Sequence, residues 1–206
     1  MDYERYRSDA YGYWDRSRRG LNDFELSRHK LFYVAYELRC AIEAFLYDYL
    51  SFIHDGELTK KLNRLYSAKD LKAAILIIEP SFEKRIQFDN LIHESMGFSV
   101  VNISVPDLNR LGMIYGKLGK YMHIQKEMMD DDDLKKWFDL ESLVKQAQEY
   151  LHDLVHPQKA RVKLTDEGIK LFTKYAHNQL DDAGVRKSLS IGFKKYVKGT
   201  TLLFGS

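Results

Sequence analysis

One cysteine, three prolines and no long apolar run are what this 206-residue chain has least of, and each scarcity removes a class of protein. Cys40 has no partner within the chain, so an internal disulfide framework is excluded. Lying in a strongly helical stretch, it reads as a buried or half-buried free thiol, and a reducing compartment follows. The longest apolar run, Ala73 to Ile78, falls far short of the roughly 20 residues that a membrane helix needs. The first twenty residues, MDYERYRSDAYGYWDRSRRG, mix charges with aromatics and lack the apolar stretch of a signal peptide. A cytoplasmic protein with no membrane contact is expected. Phosphate-binding glycine loops, nucleophile elbows and paired-cysteine zinc motifs are missing too, so no cofactor is expected.

What the chain does have is an ordinary globular balance, 45% hydrophobic and 30% charged, in a length that can bury a sizeable core. The net charge of +2 conceals an asymmetry. From Lys159 onward there are ten Lys/Arg against four Asp/Glu, whereas residues 1–158 carry 22 basic and 26 acidic side chains. Arg186, Lys187, Lys194, Lys195 and Lys198 are therefore the candidates for contact with nucleic acid, the alternative being a solvated basic face.

Helical periodicity dominates the pattern. Leu31, Ala35, Leu38, Ile42, Phe45, Tyr49 and Phe52 recur at spacings of four and three, which predicts one long helix over about 23–53. Shorter helices are predicted over about 57–66, 67–79 and 81–94. A further helix starts after Pro106 and carries Leu108, Leu111, Tyr115, Leu118 and Met122 on one face. Trp137, Leu140, Val144, Ala147, Leu151 and Leu154 mark another, stopped by Pro157. Beyond it, Ala160 to Leu164 alternates, Thr165 can cap a helix from Asp166, and residues 186–204 read as weak strands. The expected fold is mainly α, a helical bundle built around one long N-terminal helix, with a small C-terminal α+β, winged-helix-like appendage. Three parts are expected: a basic and aromatic N-terminal arm over 1–22, a helical bundle domain over 23–156, and a basic C-terminal segment over 157–206.

Two constellations carry chemistry. Lys117, Lys120 and His123 lie near the end of one predicted helix, where an imidazole can move a proton and a lysine can stabilise phosphate charge. Arg39 and Glu43 are four apart on the long helix, facing each other across one turn. A long helix bearing Arg39-Cys-Ala-Ile-Glu43, followed by a helix that ends in a basic residue and His123, resembles the HEPN superfamily over roughly residues 24–125. That resemblance implies a helical-bundle defence or toxin-type protein acting on RNA, as a metal-independent RNase assembled across a homodimer. Its motif is an arginine, four to six residues, then a histidine. Here Lys117 stands at that distance from His123, and Arg85 and His93 miss the spacing by one position. Lysine does not reproduce arginine's bidentate grip on phosphate.

Other features have simpler explanations. Asp130 to Asp133 can cap a helix or hold a divalent ion, and capping suffices. His152 and His156 are four apart, but two ligands do not make a zinc site, and no metal is expected. Tyr3, Tyr6, Tyr11, Tyr13 and Trp14 alternate with arginines at the N-terminus, a mixture that stacks on unpaired bases or docks an arm on a protein surface. Two functions remain open: the HEPN-like RNA-acting protein, and a non-catalytic helical regulatory module binding nucleic acid or a cognate protein partner.

Overall fold

The computed structural model describes residues 9–22, 28–53, 62–65, 67–97, 105–123, 134–155 and 160–202, and it is mainly α. The strongest periodicity in the sequence becomes the longest helix, α2, Arg28–Ile53. Leu31, Ala35, Leu38, Ile42, Phe45 and Tyr49 are all buried along it, and so are Val34, Ala41, Leu46 and Leu50. Burial therefore reaches well around the helix, because α1 (Ala10–Asn22), α5 (Leu108–His123) and α6 (Leu134–Val155) all pack against it. Each fully buried leucine or phenylalanine contributes about 1.5–3 kcal/mol, so this seam is the main source of stability in the bundle. The predicted stripe of α6 is likewise buried from Trp137 to Leu154. Phe52 lies outside the described side chains.

Helix α1 is the described part of the expected N-terminal arm. Over residues 10–22 the chain is a docked helix, with Asp9 accepting the Gly12 amide at 2.7 Å as its cap. Its buried Ala10, Trp14 and Ser17 are spaced four and three apart, the period of a packed helix face. Trp14 donates its indole N–H to the Gln148 carbonyl of α6 at 2.9 Å. Arg16 pairs with Glu37 of α2 at 3.0 Å, and that carboxylate is only 4% exposed. Helix α3 (Ala68–Ile78) starts as predicted, where the Asp70 amide donates to the Ser67 hydroxyl. Of the helix predicted over 57–66, a single 3-10 turn at Leu62–Arg64 lies within the described residues.

The chain forms two compact units. One comprises residues 1–75 and 107–156, and the other residues 76–106 and 157–206. The second unit thus joins the C-terminal segment to an earlier stretch of the chain. It contains α4 (Phe82–Ser95), β1 (Ala160–Leu164), α7 (Asp166–Ala176), α8 (Asp182–Tyr196) and β2 (Val197–Leu202). The two strands pair antiparallel from Ala160↔Leu202 to Leu164↔Val197, with an irregularity between Lys163 and Leu164. Phe88, Leu91 and Ile92 of α4 meet Val162, Leu171, Phe172, Tyr175, Val185 and Leu189 in one apolar cluster.

Here the expected strands over 186–204 are corrected. Residues 182–196 are helical, and strand begins only at Val197. Ile191, Phe193, Tyr196 and Val197 suggest a strand by composition, but Val185, Leu189 and Phe193 recur every four residues and pack on α4 and α7. Asp181 caps the helix through the Gly184 amide at 2.8 Å. Gly192 then departs from helical geometry, kinking α8 before its last four residues. The predicted cap of α7 stands as well, with the Gly168 amide donating to the Thr165 hydroxyl at 3.0 Å.

Candidate functional sites

In the first unit, α2 and α5 bring a polar network together. Arg39 donates through one terminal nitrogen to the Tyr115 hydroxyl at 2.6 Å, and its guanidinium lies 4.3 Å from the centre of the Tyr115 ring. That hydroxyl in turn donates to Glu43 Oε1 at 2.5 Å. Arg39 and Glu43 therefore meet through Tyr115. Burial, and then the carboxylate accepting its proton, push the Tyr115 phenol above its ordinary range. The other terminal nitrogen of Arg39 contacts Met122 Sδ, while its buried Nε has no hydrogen-bond partner among the described residues. Gly119 lies beside this guanidinium, where a Cβ would make an ordinary contact at 3.5 Å. Each hydrogen bond involving a charged group contributes about 1.5–3 kcal/mol, so the network clamps the two helices.

Lys117 and Lys120 do not join it. Both are exposed, on the side of α5 away from the Leu111–Leu118 core face, together with Met113 and the open Gly112 and Gly116. His123 is the last residue of α5, and its side chain lies outside the described residues. Of the five proposed catalytic positions, Arg39 and Glu43 are joined, and Tyr115 is the member that the sequence did not flag.

In the second unit, Lys187, Lys194, Lys195 and Lys198 are exposed on α8 and the start of β2. Arg186 is exposed but committed, donating to Glu94 of α4 at 2.7 Å. The Glu167 carboxyl is held below its usual range by its bond to Lys170 and then by the field of Lys195 and Lys174. The near-motif of Arg85 and His93 is internal: Arg85 pairs with Asp89 at 3.0 Å and donates to the Val162 carbonyl. His93 is 2% exposed, and burial pulls its pKa down.

Of the remaining sequence candidates, Tyr3 and Tyr6 lie outside the described residues, and several others make contacts within the chain. Arg18 and Arg19 both pair with Asp15, and the His152 ring packs at a tilt against Trp14 with ring centres 5.2 Å apart. His156 and Asp130 to Asp133 fall outside the described residues. Among the described residues, no three His, Cys, Asp or Glu side chains are grouped to hold a metal ion, and no helix is long and apolar enough to cross a membrane. Compared with models of known protein families, with curated proteins and with solved structures, the chain matches none of them.

Proposed function

We propose that this is a non-catalytic nucleic-acid-binding protein whose contact surface is the lysine-bearing face of α8 and the start of β2. One observation carries the reading. Four exposed lysines, Lys187, Lys194, Lys195 and Lys198, fall within residues 187–198, and no acidic side chain follows Asp182 in the sequence. Phosphate contacts of this kind dominate nucleic-acid affinity and make it fall steeply with salt. The combined Lys187→Glu, Lys194→Glu and Lys198→Glu variant is expected to lose at least about 100-fold in affinity near physiological salt, and its salt dependence should flatten by about three lysine contacts. All three positions are exposed, so the variant should melt within a few degrees of the parent. Unchanged affinity in a folded variant would overturn the proposal.

A second reading, that of a HEPN-like RNase of defence or toxin type, has its own observation: the joined Arg39–Tyr115–Glu43 network on the two helices that carry the resemblance. It predicts cleavage of RNA in the presence of a chelator, reduced by about 10²–10⁴-fold in His123→Ala if the imidazole transfers the proton. Cleavage at the parental rate in that variant would remove the catalytic role of His123. The exposed Lys117 and Lys120 would then supply phosphate contacts only.

A further inference from the structure

This inference rests on the reading just proposed and specifies the nucleic acid. We infer that α8 enters the major groove of double-stranded DNA, with Lys187 and Lys194 on the phosphates and Ser190 and Ile191 toward the base edges.

The first ground is the helix pair itself. α7 and α8 are joined by residues 177–181, in which Asn178 takes the left-handed conformation with φ 56°. Their apolar sides, Leu171, Phe172 and Tyr175 on one and Val185 and Leu189 on the other, are buried in the cluster with α4. Two helices joined by a short turn, with the second presented outward, form the arrangement that seats a helix in the major groove. An α-helix with its side chains is about 10–12 Å across, matching a groove about 12 Å wide.

The second ground is what the outer face of α8 carries. Ala183, Lys187, Ser190 and Ile191 lie opposite the buried Val185 and Leu189, and Lys194 follows after the kink. Ile191 is 80% exposed, the most exposed of the large apolar side chains described. This lone isoleucine between lysines is left largely uncovered, and in a groove it would meet a thymine methyl. The Ser190 hydroxyl, now donating to the Lys187 carbonyl, is free to turn toward a base edge.

The start of the helix narrows the pose further. Asp181 is committed to the cap, and Asp182 accepts from the Tyr175 hydroxyl at 2.9 Å. Two carboxylates there repel phosphates from the first turn, so contact centres on the second and third turns. Lys195 and Lys198, where α8 passes into β2, then flank the backbone. RNA duplexes offer no such seat, because the A-form major groove is too deep and narrow for side chains to read. Single strands offer no groove at all.

The test uses the full chain and three labelled probes: a DNA duplex of about two helical turns with a randomised core, the RNA duplex of the same length, and a single-stranded RNA. Fluorescence anisotropy should give DNA-duplex affinity roughly tenfold or more above either RNA. Lys187→Ala should weaken all DNA duplexes evenly and lower the salt slope by about one contact. Ile191→Ala should bind the random pool within about twofold but lose base preference, by roughly fivefold or more, among duplexes selected from it. RNA binding equal to or tighter than DNA binding would overturn the duplex-DNA assignment and leave the nucleic-acid proposal standing. Parental base preference in Ile191→Ala would overturn the role given to that side chain. Failure of all three probes to bind would overturn both.

Discussion

Gly168→Ala is expected to destabilise the second unit by about 3 kcal/mol or more, although alanine is the better helix former by up to about 1 kcal/mol. A Cβ at position 168 would meet the Tyr196 carbonyl oxygen 2.1 Å away and Leu164 Cβ at 3.1 Å. The obstacle is backbone, which has no rotamer to change. That carbonyl also accepts the Thr165 amide at 3.1 Å, so moving it breaks the bond that ties the end of α8 to the start of α7. Both consequences push the same way. Gly112→Ala and Gly116→Ala serve as controls, because a Cβ at either position meets nothing within 4 Å. Those two should stabilise the chain by about 0.5–1 kcal/mol. Urea titration of the three variants separates the effects, and Gly168→Ala behaving like the controls would show that the end of α8 does not press on the start of α7.

Asp48→Asn is expected to raise stability at pH 8 and leave it unchanged near pH 3. Burial in α2, and then the charge of Asp9, push the Asp48 carboxyl up from 3.8 to about 7. An acid whose pKa is raised on folding binds its proton more tightly in the folded chain than in the unfolded one. Stability from this group is therefore present at low pH, falls as pH rises from about 3.8 to about 7, and is fully lost above that. At about 1.4 kcal/mol per unit, and allowing for partial solvent access, the penalty at pH 8 is on the order of 2–4 kcal/mol. Asparagine removes it. The variant should melt about 5–10 °C above the parent at pH 8, with the gap closing as pH falls through the window. A gap that persists at pH 3 would mean that packing rather than charge explains the gain.

The bundle was legible in the sequence because its helices are long and one face of each is apolar throughout. Leu31 to Tyr49 on α2 and Trp137 to Leu154 on α6 left no competing pattern. Helix α8 was not legible as a helix. Ile191, Phe193, Tyr196 and Val197 prefer strands, Gly192 interrupts the period, and only packing against α4 and α7 decides in favour of the helix. Helix α1 was obscured by its interleaved arginines and aromatics, although Ala10, Trp14 and Ser17 already had helical spacing. In the α2–α5 network, the spacing of Arg39 and Glu43 placed them on one face, but Tyr115 was counted as one more residue of an apolar stripe. A phenol at a core position needs a partner for its hydroxyl, and that signal pointed to it. The grouping of residues 76–106 with the C-terminal segment was beyond reach, since it depends on α4 meeting α7 and α8 across more than seventy intervening residues.

Both nucleic-acid readings meet in one measurement, backbone amide chemical shifts of the full chain titrated with the two-turn DNA duplex and, separately, with single-stranded RNA. If α8 is the contact surface, the duplex should perturb residues 183–198 most strongly, the changes should fade as salt is raised, and α5 should stay silent. Perturbations confined to α5 and the α2 turn around Arg39 and Glu43, with α8 unmoved, would contradict the assignment and transfer the function to the first unit.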